Sequence, residues 1–185
     1  MQKQTPDYTA STMTKEQFFY AYKELAQLHR RHLLLESGRG GSLCMAGIDP
    51  LVTLQTLEGD KLQLTWRDGT VEVREGEPLE LIAEFVQSYE LESIPGLPDF
   101  QGGVTGFISY DYVRRYEPIP EVAVDDLDTP DLFFYLFDRW AVLDIQTETA
   151  YFMTLPNRGV EPAMVEAEWL AAAEQGRGKQ VFDAG

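Results

Sequence analysis

Cysteine and histidine are almost missing from this chain. Cys44 stands alone among 185 residues, so no internal disulfide can form and nothing suggests a disulfide-stapled secreted scaffold. His29 and His32 are the only histidines, and with one cysteine they offer no zinc-ligand spacing. Basic residues are scarce too: fifteen Lys and Arg face thirty-one Asp and Glu, a formal charge of −16. A surface of that sign repels nucleic acid and anionic membranes, so neither is expected as a partner. No apolar run approaches the ~20 residues that span a bilayer. The opening MQKQTPDYTASTMTKEQ has no apolar stretch of the signal-peptide kind. A cytoplasmic protein is the expectation.

What is present is core-forming material: 44% hydrophobic and 12% aromatic residues, enough for a globular domain. Residues 1–13 are polar and are expected to be disordered. Thr14 with Gln17 reads as a capping box, and Phe18, Ala21, Tyr22, Leu25 and Leu28 recur at helical spacing. HLLLE (32–36) and LCMAGI (43–48) read as strands around the loop SGRGGS. Leu62, Leu64 and Trp66, then Val71 and Val73, alternate with polar residues around Asp68-Gly69, the strongest short hairpin signal. Pro78 opens a second helix with Leu79, Ile82, Phe85, Val86 and Tyr89 as its apolar stripe. DLFFYLFDRWAVLDIQTETAYFMTL reads as two buried strands turning near Gln146–Glu148, and EPAMVEAEWLAAAEQG as a last helix before a polar tail. Hairpins outnumber βαβ alternations, so the fold class is α+β: mostly antiparallel, sandwich-like sheets with flanking helices.

Residue chemistry alone yields no catalytic constellation. SGRGGS lacks the Lys-Ser/Thr of a phosphate loop, and GGVTG has neither dinucleotide-motif spacing nor a helix after it. Asp125, Asp126 and Asp128 lack a calcium-loop pattern and read as a solvated acidic loop. Cys44 in an apolar strand reads as a small hydrophobe, against the alternative of a dyad with His32.

Three stretches in one order carry a resemblance: LLLESGRGGSLCMAGIDP, FQGGVTGFISYDYVRRYEP and DDLDTPDLFFYLFDRWAVLD. They resemble the chorismate-utilising enzymes, aminodeoxychorismate synthase component I and anthranilate synthase component I, and the GGS loop, GIDP and FQGGVTGFISYDY are closer to the first. The similarity runs from about Thr14 to Leu155 and corresponds to the family's N-terminal domain. It divides the chain into a disordered 1–13, a domain 14–156, and a helix and polar tail 157–185 leading toward a catalytic domain.

The resemblance implies that the chemistry lies elsewhere, in a C-terminal chorismate-binding domain with magnesium ligands. It implies no cofactor and no catalytic residue in this chain. A glutamine amidotransferase subunit would supply ammonia, and the product would be aminodeoxychorismate or, on the alternative branch, anthranilate. It further implies a tryptophan pocket lined by Glu36 and Ser37. Ser42-Leu43-Cys44 stands where relatives often carry Arg-Tyr-Ser, which removes a partner for the ligand carboxylate. Finally, it makes 100–118 a core strand at the seam with the catalytic half. Gly102, Gly103 and Gly106 would serve close packing, Tyr110, Asp111 and Tyr112 would offer polar tips, and Asp111 would pair with Arg114 or Arg115. The rival reading is a stand-alone binding module.

Overall fold

The computed structural model describes residues 4–38, 40–118 and 129–183, with side chains to 178. The acidic candidates Asp125, Asp126 and Asp128 lie outside the described residues. In chain order the elements are β1 (Asp7–Thr12), α1 (Lys15–Leu28), β2 (His32–Glu36), β3 (Leu43–Ile48), β4 (Val52–Leu57), β5 (Lys61–Trp66) and β6 (Val71–Glu75). Then follow α2 (Pro78–Gln87), β7 (Val104–Ile108), a 3-10 helix (Tyr110–Arg115), β8 (Leu132–Leu136), β9 (Arg139–Asp144), β10 (Thr149–Thr154) and α3 (Pro162–Asp183). Every pairing of named strands is antiparallel, and the α+β class holds. The chain divides into two compact units, 1–50 with 90–103 and 137–185, and 51–89 with 104–136.

In the first unit the sheet order is β1-β10-β9-β3-β2. Thr14 caps α1 reciprocally: its Oγ1 accepts from Gln17 N at 3.2 Å, and its own N–H donates to Gln17 Oε1 at 2.9 Å. This satisfies two of the helix's orphan donors. The buried stripe Phe18, Ala21 and Leu25 joins Val165, Trp169, Ala172 and Ala173 of α3 and Cys44, Ala46, Ala141 and Phe152 of the sheet. The rings of Phe18 and Trp169 lie 4.8 Å apart. At Gly176 a Cβ would sit 2.9 Å from Tyr20 Cβ, so only glycine permits this helix approach.

Two expectations are corrected here. Within the stretch 1–13 that was expected to be disordered, Asp7–Thr12 pair with Thr149–Thr154 and Met13 is buried. Being an edge strand of mostly polar residues, β1 shows no apolar alternation. The supposed tail is also structured, since α3 continues to Asp183.

In the second unit the order is β6-β5-β4-β8-β7. Leu54, Leu62, Leu64, Leu132 and Leu136 form its core with Ile82 and Phe85 of α2. Glu77 caps α2, its Oε2 accepting from Glu80 N at 2.8 Å. The Asp68-Gly69 turn forms as read, with Gly69 at φ +89° and Asp68 Oδ1 accepting from Thr70 N at 2.8 Å. The alternation of β6 has the opposite phase, however. Leu64 pairs with Glu72, so Val71 and Val73 are exposed, while Arg74 stands 5.8 Å over the Phe85 ring. The apolar run 131–155 makes three strands, not two, because Phe137 and Asp138 separate β8 from β9.

Candidate functional site

Glu36 ends the edge strand β2, opposite Cys44 on β3, and Ser37 begins the connecting loop. Ser37 N–H donates to the Leu43 carbonyl at 2.9 Å, and Leu43 N–H donates to Ser37 Oγ at 3.3 Å. Ser37 thus closes the hairpin and keeps its own hydroxyl proton to donate. The turn is tight: a Cβ at Gly41 would fall 2.1 Å from Ser37 Cβ.

The Glu36 carboxylate accepts from Lys15 Nζ, with both side chains nearly half exposed. That bond holds the Lys15 ammonium above its ordinary pKa. Glu36 therefore already receives an ammonium in this structure, and any incoming amine competes with Lys15. The Ser42-Leu43-Cys44 segment adds no basic group, and Cys44 is fully buried. Burial pushes its thiol pKa up, with the Glu36 charge adding to the rise.

The dyad alternative fails on register. Cys44 faces Glu36 while His32 faces Ile48, four ladder positions away, about 13 Å. His32 Nδ1 instead lies 2.7 Å from the Tyr22 hydroxyl. Among the described residues no group of three His, Cys, Asp or Glu is placed to hold a metal. No helix there is long and apolar enough to cross a membrane.

The stretch 100–118 is not one core strand. Residues 100–103 belong to the first unit and 104–118 to the second. Phe100 packs edge-on against Trp140 at 6.3 Å, and Gln101 brackets Ile94, accepting at 2.7 Å and donating at 3.0 Å. Gly102 and Gly103 have φ of +150° and +102°, which accounts for glycine at both. Gly106 is the one true close approach: a Cβ there would lie 1.9 Å from the Phe133 carbonyl oxygen.

The strand ends at Ile108 because Ser109 caps the 3-10 helix, its Oγ accepting from Tyr112 N at 3.2 Å. Helical turning decides between the two charge pairings expected for Asp111. Asp111 meets Arg114 at 3.0 Å, whereas Arg115 reaches Asp60 at 2.7 Å. Tyr110 is 87% exposed and Tyr112 only 4%, so these two do not form a common polar rim.

Tyr112 sits in a network that the sequence did not suggest. Its hydroxyl donates to Glu77 Oε1, Tyr116 Oη lies 3.5 Å from the same oxygen, and the Arg115 guanidinium stands 5.2 Å over the Tyr112 ring. Burial and the Glu77 carboxylate push the Tyr112 pKa strongly upward, so its phenol stays neutral. The members come from 35 and 39 residues apart, and no motif spacing announces them. In the first unit a hollow lined by Leu25, Ala46, Ile48, Val165 and Trp169 is rimmed by Arg139 and Glu168, 3.9 Å apart. It has about 10 Å³ of room, one water and not an amino acid.

No family model matches the chain. It is 38% identical over 143 residues to aminodeoxychorismate synthase component 1 of Bacillus subtilis, covering 77% of this chain and 30% of that protein. It is 35% identical over 152 residues to anthranilate synthase component 1 of Thermus thermophilus, covering 80% and 31%. Against anthranilate synthase component 1 of Acetivibrio thermocellus it is 32% identical over 115 residues, covering 60% and 23%. The crystal structure of anthranilate synthase component I from Streptococcus pneumoniae shares the fold, with a TM-score of 0.54 at 22% identity over 81% of this chain and 33% of that one. The chain thus spans between 23% and 31% of the length of these three curated relatives.

Proposed function

With this chain a homologue of the component-1 synthases of aminodeoxychorismate and anthranilate, we propose that it is the amino-terminal, non-catalytic domain of an aminodeoxychorismate synthase component 1. The single observation that carries this reading is the 38% identity over 143 residues to the Bacillus subtilis protein, confined to 30% of its length. The anthranilate branch is the second reading, favoured by the 35% identity over 152 residues to the Thermus thermophilus protein. In either case the amination of chorismate belongs to a chorismate-binding domain outside the matched region. That domain would hold magnesium, and a glutamine amidotransferase subunit would deliver ammonia. The role of this chain is to support that domain.

The hairpin end at Glu36 and Ser37 is the proposed amino-acid pocket. A tryptophan ammonium would take the place of the Lys15 ammonium on Glu36, and Ser37 would donate to the ligand carboxylate. The test is calorimetric. Tryptophan titrated into the isolated chain gives weak binding at most, because these two groups form half a pocket. Removing the competing ammonium by Lys15→Ala strengthens it, and Ser37→Ala abolishes it. Binding indifferent to both substitutions puts the pocket elsewhere. Incubated with chorismate, magnesium and excess ammonia, the isolated chain forms no product; turnover there contradicts the non-catalytic role.

A further inference from the structure

Among the described residues, the outer edge of β7 lacks the charges, prolines and bulges that keep edge strands from pairing. Natural edges are blunted by lysine, proline, inward charges or bulges. Residues Val104–Ile108 carry no charge and no proline, and they pair with β8 in unbroken one-to-one register. Large apolar side chains flank this edge: Phe107 is 42% exposed and Ile108 54%. Gly106 presents bare backbone.

The phase of the ladder shows which groups face outward. Ser109 N–H donates to the Asp131 carbonyl at 2.7 Å, continuing the β7–β8 register in which Ile108 faces Leu132. Hydrogen-bonded pairs alternate in an antiparallel ladder, so Thr105 and Phe107 bond to β8 while Val104, Gly106 and Ile108 direct their N–H and C=O groups outward. Among the described residues, no further partner of Gly106 or Ile108 is found.

We infer that this edge is a strand-acceptor site: an extended, largely uncharged segment of the synthase outside the matched region adds to the sheet beside β7. The inference rests on the reading of the chain as one domain of a component-1 synthase. The occupant follows from size and charge. The Bacillus subtilis relative has more than two thirds of its length beyond the 30% matched here. A second copy of this chain brings another −16 of charge, which opposes pairing, and a five-residue edge alone offers less area than a stable dimer buries. A strand from the larger part of the synthase would be tethered to this chain and so needs no dimer-sized interface of its own. Its backbone would satisfy the outward groups, and its apolar side chains would cover Phe107 and Ile108.

Hydrogen exchange read at single amides tests this in two settings: the chain alone, and a hybrid synthase in which it replaces the 143 matched residues of the Bacillus subtilis relative. In the chain alone, Gly106 and Ile108 exchange fast while Phe107, bonded to β8, exchanges slowly. In the hybrid, Gly106 and Ile108 slow by at least about tenfold. Ile108→Pro removes one outward donor at a position where an edge strand tolerates proline. It leaves the melting midpoint of the isolated chain nearly unchanged and lowers that of the hybrid.

Slow exchange at both amides in a monomeric isolated chain overturns the inference, whether or not the hybrid folds. Protection in the isolated chain that disappears on dilution makes the occupant a second copy and overturns the choice made here. A hybrid that forms product while both amides stay fast overturns strand addition but leaves the domain reading standing. A folded hybrid with a protected edge and no product does the reverse.

Discussion

Tyr112, in the 3-10 helix that follows β7, donates its hydroxyl to the same carboxylate of Glu77 that caps α2. One oxygen, Oε1, takes the phenol and the other, Oε2, takes the Glu80 amide, so a single side chain ties the 3-10 helix to the start of α2. Hydrogen bonds to a charged group contribute more than neutral ones, and Tyr112→Phe should destabilise the second unit by about 1.5 kcal/mol. Urea unfolding followed by Trp66 fluorescence reads this. Because Glu77 keeps its capping bond, Tyr112→Phe should cost less than Glu77→Ala.

The same carboxylate gives a pH dependence of definite sign. Burial disfavours its charge, but the hydrogen bonds from Tyr112 and from the Glu80 and Leu79 amides outweigh burial and hold its pKa below the ordinary value of 4.5. A carboxyl depressed on folding contributes stability above its unfolded pKa, and that contribution is lost as pH falls through the folded value. The melting midpoint should therefore drop on acidification below pH 4.5, and Glu77→Gln should make the drop shallower. An unchanged acid limb in the variant means that other carboxylates govern it.

Gly106 and Gly38 make a controlled pair. A methyl at 106 runs into the Phe133 carbonyl at 1.9 Å, whereas one at 38 meets nothing within 4 Å. Gly106→Ala should cost over about 2 kcal/mol by forcing β7 away from β8. Gly38→Ala should stay within about 0.5 kcal/mol of the parent. Equal effects would mean that β7 moves aside without cost.

Trp169 tests whether α3 is part of the first unit's core or merely a connector. Its ring is 3% exposed and lies 4.8 Å from Phe18 and 6.2 Å from Phe152. Trp169→Ala should cost about 3–5 kcal/mol. A loss below about 1 kcal/mol, typical of a surface substitution, would make α3 peripheral to the fold.

Elements with strong local chemistry were legible in the sequence: the Thr14–Gln17 capping box, the Asp68-Gly69 turn and the proline start of α2. What failed to show depends on partners distant along the chain. Edge strand β1 is specified by β10, which pairs with it from Thr149 onward. The phase of β6 is set by its register with β5, which makes Val71 and Val73 outward despite their apolar character. Apolar character alone does not tell which side chains are covered: Leu136 and Phe137 are buried, while Phe107 and Ile108 are exposed. The glycines of 100–118 look alike in sequence, yet Gly106 is required by the Phe133 carbonyl and Gly102 and Gly103 by backbone conformation. The Glu77–Tyr112 bond joins residues 35 apart, beyond the reach of any motif.

The central claim is that this chain serves as the amino-terminal domain of an aminodeoxychorismate synthase component 1. The direct measurement is formation of aminodeoxychorismate from chorismate, with ammonia and magnesium, by the hybrid in which this chain replaces the 143 matched residues of the Bacillus subtilis protein. The account predicts product from the folded hybrid, none from the chain alone, and no anthranilate from either. A folded hybrid that makes no product, or turnover by the chain alone, would contradict it.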